Sequence, residues 1–276
     1  MPTPCPAPVR IGPTGWNHPG WGHYVYPRPQ PRSFHPLEFL ARRFDTLEIP
    51  PTNPIRPELA RLWAAKVAVN PSFQFTAQAW PEFTHDRKLD PARVREFVEG
   101  LQPLAEPNRL GCVLLDLPAS FRYTAENRAF LIQLRRAFHM FPLVAELRHA
   151  SWTGDEGLGT LIDHHLGMVN VDQAPAVWAS RPGAWLTWRI GYVRLEGRRG
   201  SDSLYTLAEL EEWKPRIERI RRFAESAFVL FANHGHGKSV VNALQMAGLI
   251  SPGCPATGDL LQAPETLFDR RRQLAA

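Results

Sequence analysis

The stretch GCVLLDL at residues 111–117 decides the fold. Its core is continuously apolar, as in a strand covered on both faces of a parallel sheet, and it holds one acidic residue, Asp116, near its end. Working outward, the same kind of short apolar run recurs at residues 9–12, 46–49 and 73–78 before it. It recurs after it at 143–148, 168–172, 192–195 (within a longer run from Trp185) and 227–233. Amphipathic stretches separate most of these runs. Residues 57–68 carry Leu59, Leu62 and Trp63 at helical spacing. Asp90 caps a helix that opens on Pro91 and runs to about 104, and Thr124 opens another. Thr206 with Glu209 forms a capping-box pattern ahead of Leu210, Trp213 and Ile217, with Pro215 expected to kink that helix, and residues 239–249 make the last one. His164 and His165 are placed on a helix surface before Leu166. Alternating strands and helices imply a parallel sheet. Eight such units in 276 residues favour an α/β fold of (β/α)8 TIM-barrel type, a single domain, over an open doubly wound sheet. The expected layout is a Pro-rich tail at 1–8, the barrel at 9–250 and a C-terminal extension at 251–276. The segment between Asp172 and Trp185 reads as loop.

Composition narrows the class. Hydrophobic residues make up 44% and charged residues 21%, the profile of an ordinary globular chain rather than a disordered or collagenous one. The balance of 32 Lys and Arg against 27 Asp and Glu leaves +5, which suits a small anionic partner and is too mild to name nucleic acid. Cys5, Cys112 and Cys254 are odd in number, far apart and in no CxxC pair. They argue against a disulfide framework or structural zinc and point to a reducing cytoplasm. The opening MPTPCPAPVR has no apolar run, so neither signal peptide nor anchor is expected, and no stretch reaches the ~18–20 apolar residues of a membrane span.

Polar residues gather at the ends of the apolar runs: Glu48, Gln78, Asp116, Glu146 with Arg148, Asp172, Arg194 with Glu196, and Asn233 with His234. Residues two apart in a strand share a face, so Glu146 and Arg148 point together, as do Arg194 and Glu196. Barrel enzymes place their sites at this end of the strands. Residues 232–239, ANHGHGKS, follow a strand and open a helix, matching a loose phosphate-binding loop. A nucleoside triphosphatase is set aside because about one helix follows. A barrel phosphate site with Lys238 and Ser239 at a helix N-terminus fits the same residues. Trp16 and Trp21, with His18 and His23, crowd the loop after the first strand, where Trp16 is expected to wall a pocket. Glu146, Asp172, Glu196 and His234 form a conceivable divalent-metal set, which is not favoured. The sequence leaves the cofactor undetermined.

The leading expectation is therefore an enzyme acting on a small anionic, possibly phosphorylated, substrate. Glu146, His149, Asp172 and Glu196 would perform acid–base chemistry, while Trp16, Glu48, Asp116, Arg148, Arg194, Asn233, Lys238 and Ser239 bind. The alternative is a ligand-binding or regulatory module without turnover. Catalysis predicts at least one strongly perturbed carboxyl or imidazole in the pocket, and a binding module predicts neatly paired charges.

Several segments resemble, in order, the YecE-like family, also called domain of unknown function 72. IGPTGWNHPGWGHYVYP is similar to its Gly-x-Ser-Gly-Trp opening, RFDTLEIPPT to its Phe-x-x-Val-Glu-Ile-Asn-x-Thr strand, and FTHDRKL to its Ile-Thr-His segment. CVLLDLPASF resembles its Leu-x-Gln-x-Pro-Pro-x-Phe strand, AELRHASW its Val-Glu-Phe-Arg-His-x-Ser-Trp motif, and VNVDQAP, YVRLEG and FANHGHGKSVVNA follow. The resemblance spans about residues 9–250. It implies a (β/α)8 barrel and supplies no reaction. This chain departs from the pattern at Gln78 (Lys is usual), Glu196 (His), Pro50 and Pro51 (Asn-Ser) and Asp116 (Gln).

Overall fold

A computed structural model of the chain describes residues 6–176 and 183–251. Eight parallel strands follow one another around a ring: β1 (Val9–Pro13), β2 (Thr46–Ile49), β3 (Gln74–Gln78), β4 (Leu110–Asp116), β5 (Leu143–Glu146), β6 (Leu166–Asp172), β7 (Ile190–Leu195) and β8 (Ser226–Phe231). From β2 to β8 each strand pairs with the next in sequence, and β8 returns to pair with β1. The last seam, between β1 and β2, is closed by a parallel bridge between Thr14 and Glu48 and by the Gly15 N–H donating to the Glu48 carbonyl at 2.8 Å. Glycine makes this seam possible. A Cβ on Gly12 would stand 1.9 Å from the Thr46 carbonyl oxygen, so only a bare backbone lets β1 approach β2. The structure is thus the closed barrel and not the open sheet.

Helices α1 (Trp21–Tyr24), α2 (Pro36–Ala41), α3 (Pro57–Lys66), α4 (Pro81–Thr84), α5 (Pro91–Ala105), α6 (Ala125–Ala137), α7 (Asp155–Asp163), α8 (Leu207–Arg221) and α9 (Lys238–Ile250) lie between and after the strands. The capping signals act as read. Asp90 accepts from the Ala92 and Arg93 amides, Thr124 accepts from Asn127, and Thr206 and Glu209 cap reciprocally. Strand alternation sorts two apolar layers. Leu114, Val144, Val171, Tyr192, Phe228 and Leu230 fill the barrel, and the larger cluster sits between strands and helices.

Several boundaries move. β8 ends at Phe231 and β5 at Glu146, so Asn233, His234 and Arg148 belong to the loops beyond them. The helix of α8 continues through Pro215. His164 is the C-cap of α7 and His165 has φ 54°, so the pair marks a helix end rather than a helix surface. The run from Trp185 becomes strand only at Ile190. Before that, Thr187 bonds to β6 and Asn170 bonds to the Trp185 backbone. In the expected tail, Ala7 is buried and its N–H donates to Arg221. Residues 1–5, 177–182 and 252–276, which include most of the expected C-terminal extension, lie outside the described residues.

Candidate active site at the strand ends

Inward-facing positions on β2, β3, β4, β5 and β7 deliver their polar termini to one end of the barrel. Arg194 is the centre. Its Nη1 lies 3.0 Å from Glu146 Oε2 and 2.6 Å from Glu196 Oε1, and its Nη2 lies 3.4 Å from Glu48 Oε1. Arg148 completes the ring. It pairs with Glu146, holds Glu196 through both terminal nitrogens at 2.8 and 2.9 Å, and reaches Asp116 at 3.6 Å. Its Nη1 also donates to the Gln173 side chain at 2.6 Å. Beneath them Glu48 is fully buried, accepting from Gln78 Nε2 and from the Tyr192 hydroxyl, both at 2.6 Å. Thr76 lies 3.0 Å from that same hydroxyl.

Side-chain exposure is graded through the cluster: Glu48 and Glu146 0%, Arg194 9%, Arg148 16%, Glu196 20% and Asp116 27%. Solvent therefore meets the network over Asp116, Arg148 and Glu196. Here four carboxyl groups share two guanidinium groups, an excess of negative charge in a poorly hydrated place. A retained proton relieves it. Glu146 is the group that keeps one, its pKa pushed up to about 8. Burial drives the rise, and Asp116 and Glu196 reinforce it against the pull of Arg194 and Arg148. Burial acts on Glu196 in the same direction, but the Arg148 hydrogen bonds and the two guanidinium charges outweigh it and hold Glu196 below the usual carboxylate range. Two carboxyls on the same guanidinium groups are thereby driven apart in acidity. The nearby His234 imidazole is held neutral, its pKa lowered to about 4 by burial, then by His18 and Arg194, with Glu196 opposing.

Not every expected site residue joins this cluster. Asp172 is one strand position out of phase. It faces α8, where its carboxylate accepts from Trp213 Nε1 and from Arg198 Nε at 3.0 Å. The conceivable metal quartet of Glu146, Asp172, Glu196 and His234 is for that reason not assembled. Among the described residues no three or more His, Cys, Asp or Glu side chains converge as a metal set. Trp16 packs outward on Trp63 and Phe75, with ring centroids 5.1 and 6.0 Å away. His149 caps a turn of 3-10 helix through Ser151. Asn233 is buried and donates to the Ser203 carbonyl and to Asn242, both at 2.9 Å. Ser239 is buried in the first turn of α9, while Lys238 at that helix start bonds to the Asp202 backbone and lies 3.3 Å from its carboxylate. A Cβ on Gly235 would fall 1.1 Å from Asp202 Oδ1, so a carboxylate of the chain itself rests against the residue 235–238 loop.

The family described as "Protein of unknown function DUF72" matches residues 10–264. The chain belongs to the DUF72 family. A curated relative, the UPF0759 protein YunF of Bacillus subtilis (strain 168), is 26% identical over 280 residues, covering 88% of this chain and 94% of YunF. A solved DUF72 protein from Thermotoga maritima superposes with TM-score 0.76 at 25% identity, covering 88% of this chain and 98% of that one. One from Enterococcus faecalis V583 gives TM-score 0.76 at 20% identity, covering 88% and 95%. These likenesses agree with the barrel. Among the described residues of this DUF72 chain, no helix is long and apolar enough to cross a membrane.

Residues that sequence reading passed over also shape the site. Gln173 and Tyr192 fall inside the VNVDQAP and YVRLEG segments but carried no signal of a role, and Asp202 carried no motif signal, since each acts through a contact with a residue distant in the chain or across a loop. The pairing of His18 with His234 was foreshadowed only by histidines in the loops after the first and last strands.

Proposed function

We propose that this DUF72 barrel is an acid–base enzyme in which the Glu146 carboxyl delivers a proton and the Glu196 carboxylate accepts one. Arg148 and Arg194 stabilise negative charge that develops between them. The observation that carries the reading is the single pair of guanidinium groups shared by two carboxyls of opposed acidity. It meets the criterion of a strongly perturbed group and disfavours a purely regulatory module.

Charge narrows the substrate. With Glu146 protonated, Glu48, Asp116 and Glu196 still outnumber Arg148 and Arg194, and both guanidinium groups are engaged by carboxylates. Lys238 is engaged by Asp202. These pairings weigh against an anionic or phosphorylated substrate and in favour of a small polar molecule that is neutral or cationic, entering over Asp116 and Glu196.

Glutamate-selective 13C NMR titration, with Glu146→Gln for assignment, tests the proposal. A carboxyl that titrates above about pH 7 and vanishes in the variant supports it, whereas titration of every carboxyl below about pH 5.5 overturns it. Incubation with pooled cationic, neutral and anionic metabolites, read by mass spectrometry, tests the substrate class. Depletion confined to anions would overturn the charge argument.

A further inference from the structure

Of the chain's ten histidines, His18 and His234 meet where the loop after β1 touches the loop after β8, with His236 beside them against Tyr24. The His18 and His234 rings are stacked, with centroids 4.0 Å apart and planes 19° from parallel. His18 Nε2 lies 2.8 Å from the Thr14 carbonyl, which can only accept, so that nitrogen carries the hydrogen. The Thr14 hydroxyl lies 3.2 Å from the His234 ring nitrogens, and Trp21 Nε1 donates to the His234 carbonyl at 3.0 Å. Tyr24 packs edge-on against His236 at 5.1 Å. All these ties are uncharged. They sit directly above the β1–β2 seam, which Thr14 and Gly15 close on the Glu48 backbone.

The stack tolerates protons poorly. The groups around His234 are His18 from the β1 loop, Trp21 and Tyr24 from α1, Arg194 from β7, Glu196 just after it, and His236 on its own loop. A first proton sits beside the Arg194 cation, and Glu196, held by both arginines, offsets it only in part. A second proton would put two like charges at the stacking distance, where repulsion is strong in a partly buried place.

We propose that the His18–His234 stack is an acid-released latch, which holds residues 14–24 over the β8 loop when neutral and frees them when protonated. Release would open the Arg194 and Glu196 side of the strand ends. The depressed pKa of His234 agrees in sign. The closed form binds the proton less well than a solvated imidazole, so acid favours the open form. The latch rests on the seam geometry and stands independently of the acid–base reading of the site.

Hydrogen exchange read by mass spectrometry, corrected for intrinsic rates, tests it on the full chain. Between about pH 7.5 and 4.5, protection of peptides spanning residues 14–24 should fall about tenfold or more while peptides from β3 keep theirs. His18→Phe preserves a ring stack and removes one charge, and it should make that fall clearly smaller than in the wild type. No fall in the wild type, an equal fall in β3, or an equal fall in His18→Phe would overturn the latch. Should His18→Phe fail to fold, imidazole NMR on the wild type decides. Depressed titration of His234 supports the latch, and ordinary titration of His234 near 6.5 overturns it.

Discussion

Arg194 and Glu146 meet almost wholly removed from water: Nη1 lies 3.0 Å from Oε2, with the side chains 9% and 0% exposed. Removing the cation strands the Glu48 and Glu196 carboxylates and leaves the Glu146 carboxyl without that donor. Arg194→Met is expected to cost about 3–5 kcal/mol in urea unfolding, and Arg148→Met, nearer solvent, about 1–3 kcal/mol. Losses under about 1 kcal/mol for both would show a hydrated cluster.

Glu146 makes stability depend on pH with a defined sign. Its folded pKa, about 8, stands above the ordinary 4.5, so its contribution is fully present below about 4.5 and is lost as pH rises through about 8. Urea midpoints should fall across that window in the wild type and lose this component in Glu146→Gln. An unchanged slope in the variant would assign the retained proton elsewhere.

Gly12→Ala forces a Cβ into the Thr46 carbonyl, where 1.9 Å is available. Strand β1 must then back away from β2, breaking the Thr14–Glu48 bridge. A loss of about 2–4 kcal/mol is expected in thermal or urea unfolding, and a loss below about 0.5 kcal/mol would mean that the seam adjusts freely.

Asp172→Ala leaves the Trp213 indole N–H and Arg198 without their buried acceptor. Stability should drop by about 1–3 kcal/mol while the Glu146 titration is unaltered, because the residue faces the helix layer. A shifted Glu146 titration would contradict that separation.

Asp202 holds Lys238 and rests against Gly235. Calorimetry is expected to show no millimolar phosphate binding by the wild type and a Kd in the ~1–10 mM range for Asp202→Ala, once the helix start and lysine are freed. Equal binding by both proteins would show that the aspartate is no obstacle.

The strands were legible because a parallel sheet covered on both faces needs runs such as Val113, Leu114 and Leu115, and because Thr124, Thr206 and Asp90 sit at real helix starts. The pairing of residues two apart placed Glu146 with Arg148 and Arg194 with Glu196, and the structure brings all four together. The same parity rule missed Asp172 because absolute phase depends on which strand neighbours face inward, and β6 packs Val169 and Val171 inside. A helix before Leu166 was expected from His164 and His165, but the start of α7 carried no signal because Gly157 and Gly159 weaken its pattern, although a Cβ at Gly157 would strike the Trp152 backbone. The charge reading of residues 235–239 could not anticipate Asp202, which arrives from a separate loop and supplies a carboxylate from within.

Glu48 takes part twice, once through its backbone and once through its side chain. Its backbone carbonyl fastens the last gap in the ring, and its carboxylate anchors Arg194, Tyr192 and Gln78. Like a mason's keystone, it touches both the arch and what the arch carries: if the backbone parts from Gly15, the carboxylate beneath Arg194 shifts with it, whereas a new side chain at that position would keep the carbonyl tie and empty the cluster of its deepest anion.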